Sequence, residues 1–185
     1  MLSAIKTAKP PLSSMPAVPP FPTEQRPASE IFGAQAAQSG SRVLLAADFD
    51  GISQAIHFLY PQARCIASPL PQVTSGIELK NCEPSDLQAV DVAVLNGQLG
   101  VAENGAVWIA EEDMVHRVLP FITQHLVLLL PQDQIVYNMH EAYQQITIDE
   151  GGFGLFVAGP SKTADIEQSL VIGAQAARSL TIFLT

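Results

Sequence analysis

Two short segments hold residue types at spacings that can do chemistry. The first is Glu103-Asn104-Gly105, set between two apolar runs. A carboxylate held at a tight strand–glycine–strand corner is open to a ligand and can act as nucleophile or base. The same residues also read as a plain β-hairpin corner, because Asn-Gly is the strongest type I′ turn signal. Turn signals outnumber catalytic ones, so the hairpin is the expected reading of that corner taken alone. The second segment runs from Gly159-Pro160-Ser161-Lys162-Thr163 to Ala164-Asp165-Ile166-Glu167, directly after an apolar run. Ligands of open α/β sheets bind beyond the carboxyl ends of strands. Backbone amides there, with the Ser161 and Thr163 hydroxyls, suit a small anion. Asp165 and Glu167 suit an acid/base pair, or partners that orient Lys162. The competing reading is a helix start, with Ser161 or Thr163 as N-cap and carboxylates in the first turn. A Walker loop is excluded, because no Gly-Lys-Ser/Thr ending is present.

The remaining reactive residues are scattered. His57, His116, His125 and His140 show no metal-ligand spacing, so packed or surface histidines are expected. Asp48 and Asp50 flank Phe49 and point to one side, facing either a site or solvent. The two cysteines, Cys65 and Cys82, form no Cys-x-x-Cys pair. A structural zinc or an iron–sulfur cluster needs about four ligands, so no metal and no resident cofactor are expected. Cys65 lies in a strand-like run and reads as a small buried hydrophobe.

These residues need a scaffold to position them. The chain has 185 residues, 48% hydrophobic and only 15% charged, which excludes a disordered chain. The net charge of −9 argues against nucleic acid and against an anionic membrane surface. Seven prolines precede residue 28, so 1–28 is expected as an extended proline-rich arm. Residues 29–185 then form a single α/β domain. Ser29 is placed to cap a helix over 30–38, which Gly40 ends. Strands are expected at 42–47, 64–67, 91–95, 106–110, 125–130, 154–158 and 180–184. Helices are expected at 51–60 and over one turn at 84–89, with the longest at 133–145. Gly97 and Gly100 read as chain breaks. Short continuous apolar strands between helices indicate a mostly parallel open sheet covered on both faces. The longest aliphatic run, 126–130, is far too short to span a bilayer, and no secretory leader is apparent, so a cytoplasmic location is expected.

The segment Phe156-Val157-Ala158-Gly159-Pro160-Ser161-Lys162-Thr163-Ala164-Asp165-Ile166-Glu167 closely resembles the Gly-Pro-Ser-x-Ser/Thr-Ala-Asp-Ile-Glu signature of the LUD-domain family, the LutC-type lactate-utilisation proteins. Further features fit in order. Asp91-Val92-Ala93 is similar to the family's strand before its corner. Gly100-Val101-Ala102-Glu103-Asn104-Gly105 is similar to the corner itself. Arg117 precedes Leu119-Pro120, and His125-Leu126-Val127 is similar to the His-Ile-x-Val strand. Two departures stand out. After Gly173 the family runs Val-His-Gly-Pro, where this chain has Ala174-Gln175-Ala176-Ala177-Arg178. The family's longer helical N-terminal region is replaced by the proline-rich stretch.

The resemblance implies a fold like that of the NagB/RpiA/CoA-transferase superfamily. It also implies a part in oxidising L-lactate to pyruvate beside two partner proteins that carry the iron–sulfur clusters. The resemblance assigns this member no chemical step of its own; read from the two segments themselves, Glu103, Asp165 and Glu167 are the candidate catalytic groups. Asn104, Gly105, Gly159, Pro160, Ser161, Thr163 and His125 are the candidate ligand-binding residues for a small anion. Glu103 and the 159–167 loop are expected to converge on one pocket. A homo-oligomer is left open. The alternative is a small stand-alone enzyme of the same superfamily, or a ligand-binding module. Ala102-Glu103-Asn104-Gly105 is similar to the Ser-Glu-Asn-Gly segment of class I CoA-transferases, which implies Glu103 as a nucleophile toward a carboxylate or acyl-CoA.

Overall fold

The computed structural model describes residues 3, 7–10, 12–17, 25–46, 48–70, 72–73, 76–148, 152–166 and 169–185, with backbone alone at 164–166 and 169. Five apolar runs form a wholly parallel sheet: β1 (Arg42–Leu45), β2 (Ile66–Ala67), β3 (Val92–Asn96), β6 (His125–Leu130) and β11 (Ser179–Leu184). Their spatial order is β1-β11-β6-β3-β2, so the chain crosses the sheet once after β1 and then steps back strand by strand. Helix α2 (Phe49–Leu59) makes that crossing. Its N-cap is Asp48, whose carboxylate accepts from the Gly51 amide at 2.7 Å. Asp48 therefore holds a helix start rather than facing a loop.

The central strands β3, β6 and β11 are mostly apolar because both of their faces are buried. Val92, Val94, Val127, Leu129 and Phe183 pack on Ile52 and Ile56 of α2. Ala93, Leu95, Leu126, Leu128, Leu130, Ile182 and Leu184 point the other way. They meet helix α1 (Ala28–Gln38) through Phe32 and Ala36, and a second sheet through Val107 and Ile109. That second sheet contains β4 (Leu99–Val101), β5 (Ala106–Ala110), β7 (Ile135–Val136) and β8 (Gly154–Val157), in the order β7-β4-β5-β8. Helix α4 (Met139–Gln145) closes its outer face, with Ala142 against Leu99, Val101 and Trp108. Short α3 (Leu119–Ile122) precedes β6.

Several expectations change. Gly100 does not break the chain: it sits inside β4, where a Cβ would stand 2.8 Å from Leu130 and 3.0 Å from Ile135. The helix expected at 133–145 is split into a 3-10 turn, β7 and α4, because Ile135 and Val136 pair with Gly100 and Val101. Helix α1 begins at Ala28 after Pro27 and has no side-chain cap, so Ser29 lies within it. The helix start weighed for Ser161 and Thr163 is a strand: β9 (Lys162–Ile166) pairs antiparallel with β10 (Ser169–Ile172). Within 1–28, residues 12–17 are exposed and neither helical nor extended-paired, while Ser3 and Thr7 have helical backbone.

Candidate functional site

The Glu103 corner is a hairpin between β4 and β5, but not a two-residue type I′ turn. Val101 pairs with Ala106 across the four-residue loop 102–105, in which Gly105 alone has positive φ. Asn104 Oδ1 accepts from the Ala106 amide at 3.0 Å and shapes the turn. Glu103 is exposed, and its Oε1 accepts from the Met139 amide at 3.0 Å. It thus supports the start of α4 beside Asn138, whose side chain caps the Glu141 amide. Gly105 (φ +67°) is pressed on α1, where a Cβ would stand 2.4 Å from the Ala36 nitrogen.

The second predicted segment reaches the same helix end. Gly159 (φ +76°) lies so close to α1's last turn that a Cβ would stand 2.2 Å from the Ser39 carbonyl oxygen. Lys162 Nζ donates to that oxygen at 2.6 Å, and Ser39 Oγ donates to the Asn104 carbonyl at 3.5 Å. Glu103-Asn104-Gly105 and 159–162 therefore meet at the carboxyl end of α1, around Ser39. The Ser161 amide donates to Ala177 O and its carbonyl accepts from Gly173, both at 2.9 Å, which closes the base of the β9–β10 hairpin. Thr163 is buried and pairs with Val171. The Asp165 side chain and all of Glu167 lie outside the described residues.

His125 belongs to a different arrangement, a cleft of about 500 Å³ at the amino ends of the parallel strands. It opens β6, and the register sets it beside Ser179, the first residue of β11. His125 Nδ1 and Ser179 Oγ are 2.7 Å apart. The Tyr60 ring lies against the imidazole with centroids 4.6 Å apart. The Tyr60 hydroxyl lies 2.8 Å from Thr181 Oγ1 and 3.4 Å from Ser179 Oγ, so Thr181, Tyr60, Ser179 and His125 form one polar chain. Asp91, just before β3, lines the same cleft. Its carboxylate accepts from the Arg64 amide at 2.7 Å and the Cys65 amide at 3.0 Å. Those two bonds hold its carboxyl below the ordinary range. Burial, and secondarily the Asp91 charge, pushes the Cys65 thiol up. Burial first, then the Arg178 cation, lowers the His125 imidazole, against a weaker upward pull from Asp91.

Arg42, which opens β1, and Arg178, just before β11, complete the lining. Among the described residues neither guanidinium has a hydrogen-bond or ion-pair partner. Of these groups only His125 was expected as a site residue. Arg42, Tyr60, Asp91, Arg178 and Ser179 are far apart in sequence and are assembled by parallel register. The available signal was positional: polar residues stand at the start of each apolar run.

A second cleft, about 540 Å³, lies at the carboxyl ends of the same strands. Ile52, Phe49 and Leu129 make it apolar, and Asn96, Gln98 and Asp113 form its polar side. The Gln98 amide donates to Glu112 at 2.9 Å and to Asp113 at 2.8 Å. Burial pushes the Asp113 carboxyl up, with the Glu112 charge adding to the rise and the Gln98 bond opposing it.

A parallel sheet with a mixed sheet on one face and a crossing helix on the other defines an α/β domain of one known class. The LUD domain profile matches residues 79–185, more than half of the chain, and the chain belongs to that family. It is 29% identical over 91 residues to lactate utilization protein C of Shouchella clausii, which is 46% of this chain and 40% of that protein. Against the protein of that name from Geobacillus thermodenitrificans it is 26% identical over 129 residues, 66% and 52% of the two chains. The chain thus spans about two fifths to one half of these relatives. A crystal structure of a DUF162 family protein from Deinococcus radiodurans superposes with a TM-score of 0.66 at 18% identity, over 88% of this chain and 99% of that one. At that identity the likeness is one of fold. It bears out the expected α/β architecture with a mostly parallel central sheet flanked by helices.

Proposed function

We propose that this protein is a LUD-domain component of lactate utilisation that works with iron–sulfur partner proteins and holds no cluster itself. The observation that carries the reading is the match to lactate utilization protein C in several organisms, inside a family assignment covering 79–185. The chain's two cysteines agree with a division of labour in which partners supply the electron carriers. The test is deletion of the gene, growth on L-lactate as sole carbon source, and purification of a tagged full-length copy from the complemented strain. Growth is expected to fail and to return with the copy, and cluster-bearing proteins are expected to co-purify. Normal growth of the deletion strain on L-lactate would overturn the reading.

A further inference from the structure

We propose that the cleft at the amino ends of the parallel strands binds a short carboxylate anion of the 2-hydroxy or 2-oxo acid class. Arg42 and Arg178 hold the carboxylate, and the His125–Ser179 pair receives the oxygen on the adjacent carbon. The ligand class rests on the lactate-utilisation reading; the site rests on the cleft itself.

The first argument is charge. The chain carries 18 acidic residues and nine Lys and Arg. Two other cations are occupied: Arg117 grips Glu111 through two bonds of 2.6 and 2.9 Å, and Lys162 sits on the Ser39 carbonyl. Arg42 and Arg178 have no such partner among the described residues, and both line one cleft. Asp91 is the one carboxylate in that lining, and its Oδ2 is already engaged by two backbone amides. Two guanidinium cations against one carboxylate leave the cleft net positive inside an acidic molecule, and such a concave surface concentrates anions. The planar guanidinium fork matches a carboxylate in geometry as well as charge.

The second argument is the polar floor. Burial and then Arg178 favour the neutral imidazole, which offers one N–H and one acceptor nitrogen. The Ser179 hydroxyl both donates and accepts, and it is 2.7 Å from the ring. Such a pair satisfies a hydroxyl or a carbonyl oxygen equally well. Leu59, Pro61 and Ala63 form an apolar wall that receives the acid's carbon chain. A volume of about 500 Å³ falls within the range of small-molecule sites. A three-carbon acid fills only part of it, so longer 2-hydroxy acids belong to the same class.

The experiment is titration of the full-length protein with sodium L-lactate, pyruvate, a longer 2-hydroxy acid and inorganic phosphate. Imidazole signals are followed by NMR and heats by calorimetry. At least one of the acids is expected to shift the His125 signals saturably. Arg42→Gln and Arg178→Gln are each expected to weaken it about tenfold while the melting transition is kept. Asp113→Asn, at the opposite end of the sheet, is expected to leave affinity unchanged. Phosphate binding in preference to every acid would overturn the ligand class. Unshifted His125 signals, or wild-type affinity in both arginine variants, would overturn the site. Co-purification of partners alongside failed acid binding would remove this proposal and keep the functional reading. Acid binding here without a lactate growth phenotype would keep the site and remove that reading.

Discussion

The two ends of the parallel sheet are built from the same strands and hold clefts of similar size, about 500 and 540 Å³, yet they are chemical opposites. The amino end gathers Arg42, Arg178 and the His125–Ser179 pair, with Asp91 as its carboxylate. The carboxyl end gathers Asp113 beside Glu112 over an apolar floor. Open α/β sheets usually bind ligands at the carboxyl end. Here the charges oppose that habit for an anion, because an acidic rim repels it while two guanidinium groups, without an ion-pair partner among the described residues, attract it. Topology offers two candidate positions, and the residues placed at strand ends decide between them.

The largest expected effect tests how the amino end is assembled. The base of the β9–β10 hairpin is seated on the end of α1 by Gly159, and Pro160 lies against Gly40, a residue of the cleft lining. Gly159→Ala puts a side chain in a left-handed conformation and drives it into the Ser39 carbonyl, 2.2 Å away. Conformational strain of about 1–2 kcal/mol and overpacking of about 1–3 kcal/mol together predict a loss of roughly 2–5 kcal/mol. Gly40→Ala, also at positive φ but 3.3 Å from the Pro160 ring, should cost only the strain, about 1–2 kcal/mol. Urea denaturation of both variants checks the order; equal stabilities would break this account of the seat.

The next effect separates the ends by acid response. Asp91 is lowered in the folded protein, so the stability it contributes is present above the unfolded carboxylate value of about 3.9 and is lost as pH falls through its folded value. Asp91→Ala removes two amide partners and should cost about 1–3 kcal/mol at neutral pH, with the difference from wild type shrinking in acid. Asp113 is raised, so its ionisation opposes folding once pH climbs above the unfolded value. Asp113→Asn should therefore stabilise at neutral pH and lose that advantage below about 3.9. Denaturation midpoints at the two pH values test both signs, and a common sign would sink the contrast between the ends.

Much of the scaffold was legible because burial on two faces leaves an unmistakable trace. The runs 91–95, 125–130 and 180–184 became β3, β6 and β11 almost residue for residue. The errors fall where distant partners override local signals. Ile135 and Val136 became a strand only because Gly100 and Val101 lie beside them. Ser161 and Thr163 are good helix caps in isolation, but the segment pairs with Ser169–Ile172, where β-branched Val171 and Ile172 favour a strand. The Glu103 corner was visible as a turn, whereas its contact with the Met139 amide was not. The amino-end cleft was the least legible feature. Its groups come from residues 42, 60, 91, 125, 178 and 179, and parallel pairing alone makes them neighbours.

The smallest effect is also the most local. His125 is faced by Tyr60 from just past α2, Asp91 from the approach to β3, Ser179 from β11 and Arg178 from the residue before it, while Arg42 of β1 lines the same cleft. Its imidazole is lowered by burial first and by Arg178 second, with Asp91 pulling upward. Arg178→Gln should therefore raise its NMR titration midpoint, still short of the ordinary value of about 6.5 because burial persists. Asp91→Asn should lower the midpoint, and Asp113→Asn, at the far end, should leave it in place. Because the folded value lies below the unfolded one, His125 favours folding above about 6.5, and that contribution is lost as pH falls. A bound carboxylate should act like an added Asp91 and raise the midpoint in wild type, an effect that Arg42→Gln should weaken. If the two cleft substitutions moved the midpoint in the same direction, the opposed charges assigned to this end of the sheet would not be acting on the imidazole, and its distinction from the carboxyl end would fail at the residue meant to read it.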